Sequence, residues 1–351
     1  MAIEDINLGT SPTGAGGDTV RSAFEKTKGN FSQHEQRLSS IDILIPDQHR
    51  RAVEAATGGL CTVERTPNGQ PCYMHVLSKT RAEDLAPGGE LGTGMHEAFV
   101  VNGQERSTLL IGMFLAAEVN GELVSQPGRE ARTRQNFDTQ MAAAQALGAG
   151  WHQMTIWEWA FVSLWCMANG FEPRGNTNYG RSHSHPFEVA ARTDGLAPGD
   201  SGLGYTYTGY GPNTWRHNAA PNGIADLVGN VWERLNLMKI VDGRVMLAPD
   251  NDPSLSEADW TDTGWDMPGN GTWAASDNAG ASDALKRALV VPNGTLDPGG
   301  YLYTNLTGER LPIRGGSRSN GGSAGLGALY LSHGRGNASS AFGLRLARLV
   351  S

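Results

Sequence analysis

The sequence predicts an α+β protein in which two helices and small antiparallel sheets support long loops, preceded by a short helical segment and a small β region. Three observations point there. Thr155 and Glu158 form a Thr-x-x-Glu pair ahead of an apolar run that stops at Asn169-Gly170, the pattern of a helix capped at both ends. Asp242-Gly243, between Lys239-Ile240-Val241 and Arg244-Val245-Met246-Leu247, is a hairpin signal. Residues 171–225 and 250–310 are rich in Gly, Asn, Asp and Pro and lack periodicity, and irregular stretches of that length usually carry function.

Taken in chain order, the sequence divides into residues 1–45, 46–95 and 96–351. The first segment opens with a Gly-rich lead-in, in which Asp18 is placed to cap a helix. Val20, Thr27, His34 and Ile41 then recur every seven residues, as do Phe24, Phe31 and Leu38, an a/d heptad with polar intruders at Thr27 and His34. Gly29-Asn30 is expected to interrupt this helix and Pro46 to close it. The stub reads either as a self-association element or as a two-helix cap packed on its own domain; in the first case the bulky Phe residues at its seam favour more than two strands, with three expected. The second segment predicts short strands about the Pro67-Asn68-Gly69 turn, Cys61-Thr62-Val63 before it and Tyr73 to Leu77 after it.

In the third segment one helix is expected from about Arg132 to Leu147 and a second from Ile156 to Ala168. Trp157, Trp159 and Trp165 fall on more than one face of the second helix, which makes it the expected centre of the core. Tyr205, Tyr207, Tyr210, Trp215, Trp260, Trp265 and Trp273 are expected to pin the long loops. Near the end, Ala328-Leu329-Tyr330-Leu331-Ser332 alternates, so Leu329 and Leu331 should point inward and Tyr330 and Ser332 outward. The block from Arg314 to Ala347 holds nine Gly and six Ser and neither an acidic residue nor Lys. Ser, Asn and Tyr on a Gly-rich frame suit an adaptable recognition surface, because Tyr supplies contact area at low entropy cost and Ser and Asn supply flexible hydrogen bonding.

Composition excludes several classes. With 351 residues, 39% of them hydrophobic and 18% charged, the chain has ample core and is not disordered. Its net charge of −8 opposes general nucleic-acid binding. No apolar run is long enough to cross a membrane, and the start lacks the pattern of a secretory signal. Cys61, Cys72 and Cys166 share no metal-ligand spacing, although a Cys61–Cys72 bridge across the turn is geometrically open. Gly14-x-Gly16-Gly17 lacks the preceding strand that a phosphate-binding loop requires.

Several motifs, in order, carry a resemblance to a family. They are Gly150-Trp151-His152-Gln153-Met154-Thr155, Glu158-Trp159-Ala160, Leu164-Trp165-Cys166, Pro173-Arg174-Gly175-Asn176, Asp226-Leu227-Val228-Gly229-Asn230-Val231-Trp232-Glu233, and Gly308 to Gly316. Together they resemble the variable proteins of diversity-generating retroelements. The Gly-Asn-Val-Trp-Glu piece also resembles the wider formylglycine-generating-enzyme-like group. Separately, Ile6-Asn7-Leu8-Gly9-Thr10 and the later Asn30-Phe31 are similar to the start of phage tail proteins.

The resemblance implies a C-type-lectin-like fold over roughly residues 95 to 351 and a phage or prophage receptor-binding protein of the tropism-determinant type. It further implies a virion protein, expected from the heptad to be a homotrimer, that contacts tail or baseplate components and binds a bacterial surface protein or glycan during host adsorption. Ser317, Arg318, Ser319, Asn320, Ser323, Tyr330, Ser332, His333, Ser339, Ser340 and Ala341 would be the variable, ligand-binding positions. Gly315, Gly316, Gly325, Leu329, Leu331, Gly343 and Arg345 would be the fixed frame. The chain departs from the family at Arg318, where Trp is usual, and at Leu344, where Phe is usual. No catalytic residue and no cofactor is expected.

Competing readings attach to other residues. Formylglycine-type oxidoreductase chemistry resembles a copper-bound cysteine pair late in the domain, where soft thiolates select Cu(I). Here the last cysteine is Cys166, inside the core helix. A related three-histidine iron site would draw on His183, His185 and His217. Asp226, Asn230 and Glu233 could serve a structural calcium as oxygen ligands, or could be internal hydrogen-bonding residues, and the latter is favoured. A purely structural virion component is a third class.

Overall fold

The computed structural model describes residues 4–11, 13–272, 278–292 and 297–350, and, within the long first helix, leaves aside the side chains of residues 36 and 38–47. It divides into two compact units, Met1–Ala56 and Thr57–Ser351.

The first unit is dominated by one helix, α1 (Val20–Thr57). It runs without a break through Gly29 and Pro46, which corrects both expected interruptions and moves the boundary from 45/46 to 56/57. A glycine in a helix costs only about 1 kcal/mol relative to alanine. A proline removes a single amide from the ladder, and good helix formers follow it from Arg50 to Ala56. The cap also differs from expectation. Thr19 Oγ1 accepts from the Ser22 amide, while the Asp18 carboxylate accepts from the Asn7 amide and the Lys26 ammonium. Along the heptad, Val20, Phe24 and Phe31 are exposed, whereas Leu38 and Ile41 lie outside the described side chains.

In the second unit, β1 (Cys61–Arg65) and β2 (Pro71–Ser78) form a hairpin across the Pro67-Asn68-Gly69 turn. The hairpin is not a separate region. β2 pairs with β3 (Thr108–Gly112), and β3 pairs with the carboxy-terminal strand Leu346–Leu349, which also pairs with β4 (Trp151–Gln153). The hairpin therefore supplies two strands of the main domain's five-stranded sheet, with β1 at its edge. The register sets Cys61 opposite His75 and Cys72 opposite Glu64, so the two thiols do not meet, and all three cysteines are free and buried.

Two helices follow. α2 (Phe137–Gln145) starts later than expected, because Asn136 caps it by accepting from the Thr139 amide. α3 (Ile156–Ala168) has the full capping box: Thr155 accepts from the Glu158 amide and Glu158 accepts from the Thr155 amide. Trp157 and Trp159 are buried, and their indole N–H groups donate to the carbonyls of Ala248 and Leu326. These bonds tie the loops on two sides to α3, the centre of the apolar core.

Among the described residues the unit holds two further large sheets, besides two short two-stranded pairs. One contains the hairpin of β6 (Met238–Val241) and β7 (Arg244–Leu247), turning at Asp242 and Gly243, which both have positive φ as the two-residue turn demands. The other has six strands in the order Gly271–Thr272, Tyr301–Thr304, Gly325–Leu331, Ile313–Gly315, β5 (Trp232–Arg234) and Phe342–Gly343. It is mixed rather than antiparallel, with Tyr301–Thr304 parallel to Gly325–Leu331 and Phe342–Gly343 parallel to β5. Among the expected loop anchors, Trp215 and Trp260 are buried, Trp265, Tyr205 and Tyr207 are half-buried, and Tyr210 is exposed and anchors nothing in the core. Trp273 lies outside the described residues.

Candidate functional site

The site is built on strand Gly325–Leu331. Leu329 and Leu331 are fully buried and Tyr330 and Ser332 are half-buried, so the pleat separates a packed face from an accessible one. Tyr330 stands beside Tyr303 in the parallel pair. Its ring lies 5.1 Å from that of Tyr303, 5.3 Å from Trp232 and 4.7 Å from His333, and His333 lies 4.7 Å from Phe342. Ala341 packs on the same cluster. Burial pushes the His333 imidazole down, helped by the charges of Arg234 and Arg310, and burial pushes the Tyr330 phenol up. Both groups are neutral hydrogen-bonding groups at neutral pH.

A second cluster surrounds Tyr205. Its hydroxyl donates to Ser340 Oγ at 3.1 Å, and the Arg318 guanidinium lies 4.1 Å from its ring centroid. Arg318 Nε donates to the Leu203 carbonyl. Tyr205 and Ser340 line a cavity of about 180 Å³ together with Leu203, Arg134 and Glu130. Ser339, Ser340 and Ala341 connect this cluster to Phe342 and the first one, so most of the expected positions form a continuous strip.

Three positions depart from the expected free display. Ser317 is buried, with its amide and hydroxyl both donating to Asn320 Oδ1. That bond also commits the Asn320 carbonyl to holding the turn. Ser339 Oγ accepts from the Ala341 amide. Short polar side chains in tight turns satisfy local amides before they meet a ligand. Ser319 is exposed and Ser323 half-buried.

Beneath the strip, Gly315 has φ +90, and a Cβ there would come 2.3 Å from the Leu227 carbonyl oxygen. Arg345 is fully buried and bidentate to Glu233 at 2.9 and 2.7 Å, and it donates to the carbonyls of Gly112 and Ala225. The oxygen-ligand set does not converge. Glu233 is committed to Arg345, Asp226 accepts from Thr208 and Gly209, and Asn230 exchanges bonds with Thr206. These are internal loop-holding residues. His183 and His185 lie on one loop, whereas His217 is buried with its ring 4.6 Å from His75. Among the described residues, no three His, Cys, Asp or Glu side chains are grouped as metal ligands.

The rings of Trp232, Tyr303, Tyr330, His333 and Phe342 form an aromatic cup, of which sequence reasoning missed Trp232 and Phe342 as members and Tyr303 altogether, as it did Arg234 beside it. The alternation of Tyr301-Leu302-Tyr303-Thr304 was a usable strand signal, but the pairing partner is not local. A broader cavity of about 680 Å³ lies between the loop of Phe171, Arg174, His183 and His185 and the turns at Gly299 and Gly322.

No family model and no curated protein matches the chain. Among solved structures it is similar to PvdO from Pseudomonas aeruginosa, at 11% identity and a TM-score of 0.36 over 82% of this chain and 98% of that one. It is similar to Treponema denticola variable protein 1, at 14% identity and a TM-score of 0.34 over 82% of this chain and 99% of that one. It is also similar to the Major Tropism Determinant P3c variant, at 12% identity and a TM-score of 0.33 over 79% of this chain and 62% of that one.

Proposed function

We propose that this chain is a receptor-binding protein of a phage or prophage tail, whose carboxy-terminal surface is diversified by a retroelement and recognises a bacterial surface ligand. One observation carries the reading: Arg318, Tyr330, Ser332, His333, Ser340 and Ala341 are reachable from solvent, while Leu329, Leu331, Leu344 and Arg345 beneath them are fully buried. A surface of that kind can change its side chains without changing its frame. The sequence motifs that resemble retroelement variable proteins support it independently. Exposed Val20, Phe24 and Phe31 at heptad spacing on α1 support self-association, with three copies as the proposed number. Several copies would multiply a weak single-site affinity through effective concentration.

The oxidoreductase reading has less support. All three thiols are buried, and burial pushes Cys61 and Cys72 up to about 11 and Cys166 higher still, so none is a ready thiolate ligand.

The test is adsorption by particles carrying the double variant Tyr330→Ala/His333→Ala. Anchors of this type cost roughly 2 kcal/mol or more on truncation, so adsorption should collapse at a temperature at which circular dichroism shows the purified variant still folded. Unchanged adsorption removes this surface from recognition.

A further inference from the structure

The arginines buried among the described residues are Arg192, Arg234, Arg287, Arg314 and Arg345. Their surroundings differ in one respect. Arg192 is paired with Asp194, Arg287 with Glu97 and Arg345 with Glu233. Arg314 donates to backbone carbonyls, including those of Gly327 and Leu289. Among the described residues Arg234 has one acceptor, the carbonyl of Asn337, reached through Nη2. Its Nε is sealed from solvent without an acceptor, and no carboxylate lies within ion-pair distance of it among the described residues. Asp138, the carboxylate whose charge acts on it, is already bonded to Arg335 at 2.8 Å.

Arg234 sits under the cup of the candidate site. Its guanidinium lies 5.1 Å from the Phe342 ring centroid, and Phe342 packs on His333. Arg310 is the second cation whose charge acts on His333. It precedes Leu311, whose amide donates to the His333 carbonyl at 3.1 Å; it is half-buried, and among the described residues it donates to the backbone carbonyl of Glu309 while its Nε has no acceptor. A buried charge without a counter-charge is costly, and the cost falls when a charged partner arrives. One such buried cation, Arg234, and the half-buried Arg310 both act on the His333 imidazole in a chain whose net charge is −8.

We propose that Arg234 and Arg310 are the cationic floor of the cup at Tyr330 and His333, and that the cup receives the carboxylate of an Asp or Glu side chain on a partner protein. This rests on the recognition surface proposed above and names the chemistry of its ligand. The ring geometry favours a protruding side chain over a sugar. Tyr303 and Tyr330 are inclined at 51°, Trp232 and Tyr330 at 54°, and His333 meets Tyr330 at 74°, so no two rings make a flat platform for a pyranose face. The carboxylate would sit against the guanidinium edge with the tyrosine rings closing around its methylene stem.

The test uses the full chain and fluorescence anisotropy with labelled hexaglutamate, against hexaglutamine and against polygalacturonate as the acidic-sugar arm. Hexaglutamate should bind saturably and hexaglutamine should not. Arg234→Met should weaken hexaglutamate binding about 30-fold, as loss of one member of a desolvated charge pair does, and Arg234→Lys should restore part of it. Hexaglutamate binding that is absent, or equal in the wild type and Arg234→Met, overturns the proposal, and so does saturable binding of polygalacturonate alone. Adsorption that is lost in Tyr330→Ala/His333→Ala, with no acidic-peptide binding at Arg234, would retain the recognition surface and remove only the acidic ligand.

Discussion

Glu233 and Arg234 are neighbours on one strand, so their side chains leave opposite faces of the sheet, and the two faces treat charge in opposite ways. On one face Glu233 meets Arg345 in a bidentate pair with no solvent exposure on either side. On the other, Arg234 has a single carbonyl and an aromatic ring. The first arrangement locks the strand to the carboxy-terminal residues and to the loops at Gly112 and Ala225. The second leaves bonding capacity unspent beneath the one surface where a partner can supply it. Glu233 and Arg234 thus differ in whether the charge already has a carboxylate or guanidinium partner.

Breaking the answered pair should have the largest effect. Arg345→Met leaves the Glu233 carboxylate buried without its partner, and such losses cost about 3–5 kcal/mol. Urea unfolding should show the midpoint falling with an unchanged slope, and Glu233→Gln added to Arg345→Met should recover part of the loss. A midpoint within error of the wild type would mean that the pair does not lock the frame.

A smaller effect is expected from pH at the far side of the same frame. His75 and His217 are buried edge to face, with Cys61 and Arg216 as neighbours, and burial pushes His75 down to about 4 from an ordinary value of 6.5. The folded pKa lies below the unfolded one, so the unfolded state takes up the proton first. The contribution of the neutral ring is complete above pH 6.5 and is lost as pH falls towards 4. Stability measured across that window should drop less steeply in His75→Gln than in the wild type. Parallel curves would assign the acid sensitivity elsewhere.

Much of the frame was legible in the sequence because its signals are local. The capping box of Thr155 and Glu158, the Asp242-Gly243 turn and the alternation around Tyr330 each need only a few neighbouring residues to act. What escaped depends on distant partners. The hairpin of residues 61–78 joins the strand Thr108–Gly112, which in turn pairs with the strand beginning at residue 346, Tyr303 meets Tyr330 through a parallel pair, and Arg345 finds a carboxylate at position 233. Burial of Ser317 was hidden for the opposite reason. Its partner Asn320 is close by, but a Gly-rich polar run has the same composition whether its serines brace a turn or face a ligand.

The smallest effect sharpens the comparison most. Arg234→Met removes a charge that has no carboxylate to strand, replaces it with an unbranched apolar chain that can lie along Phe342, and frees only the carbonyl of exposed Asn337, which water can satisfy. Buried charges replaced by apolar groups of similar volume are often neutral or stabilising. The urea midpoint of Arg234→Met should therefore stay level with the wild type or rise, by up to about 1 kcal/mol in stability, while Arg345→Met falls. If Arg234→Met were to lose as much as Arg345→Met, Arg234 would be a structural residue with an answered charge, and the distinction between the two faces of the strand would fail.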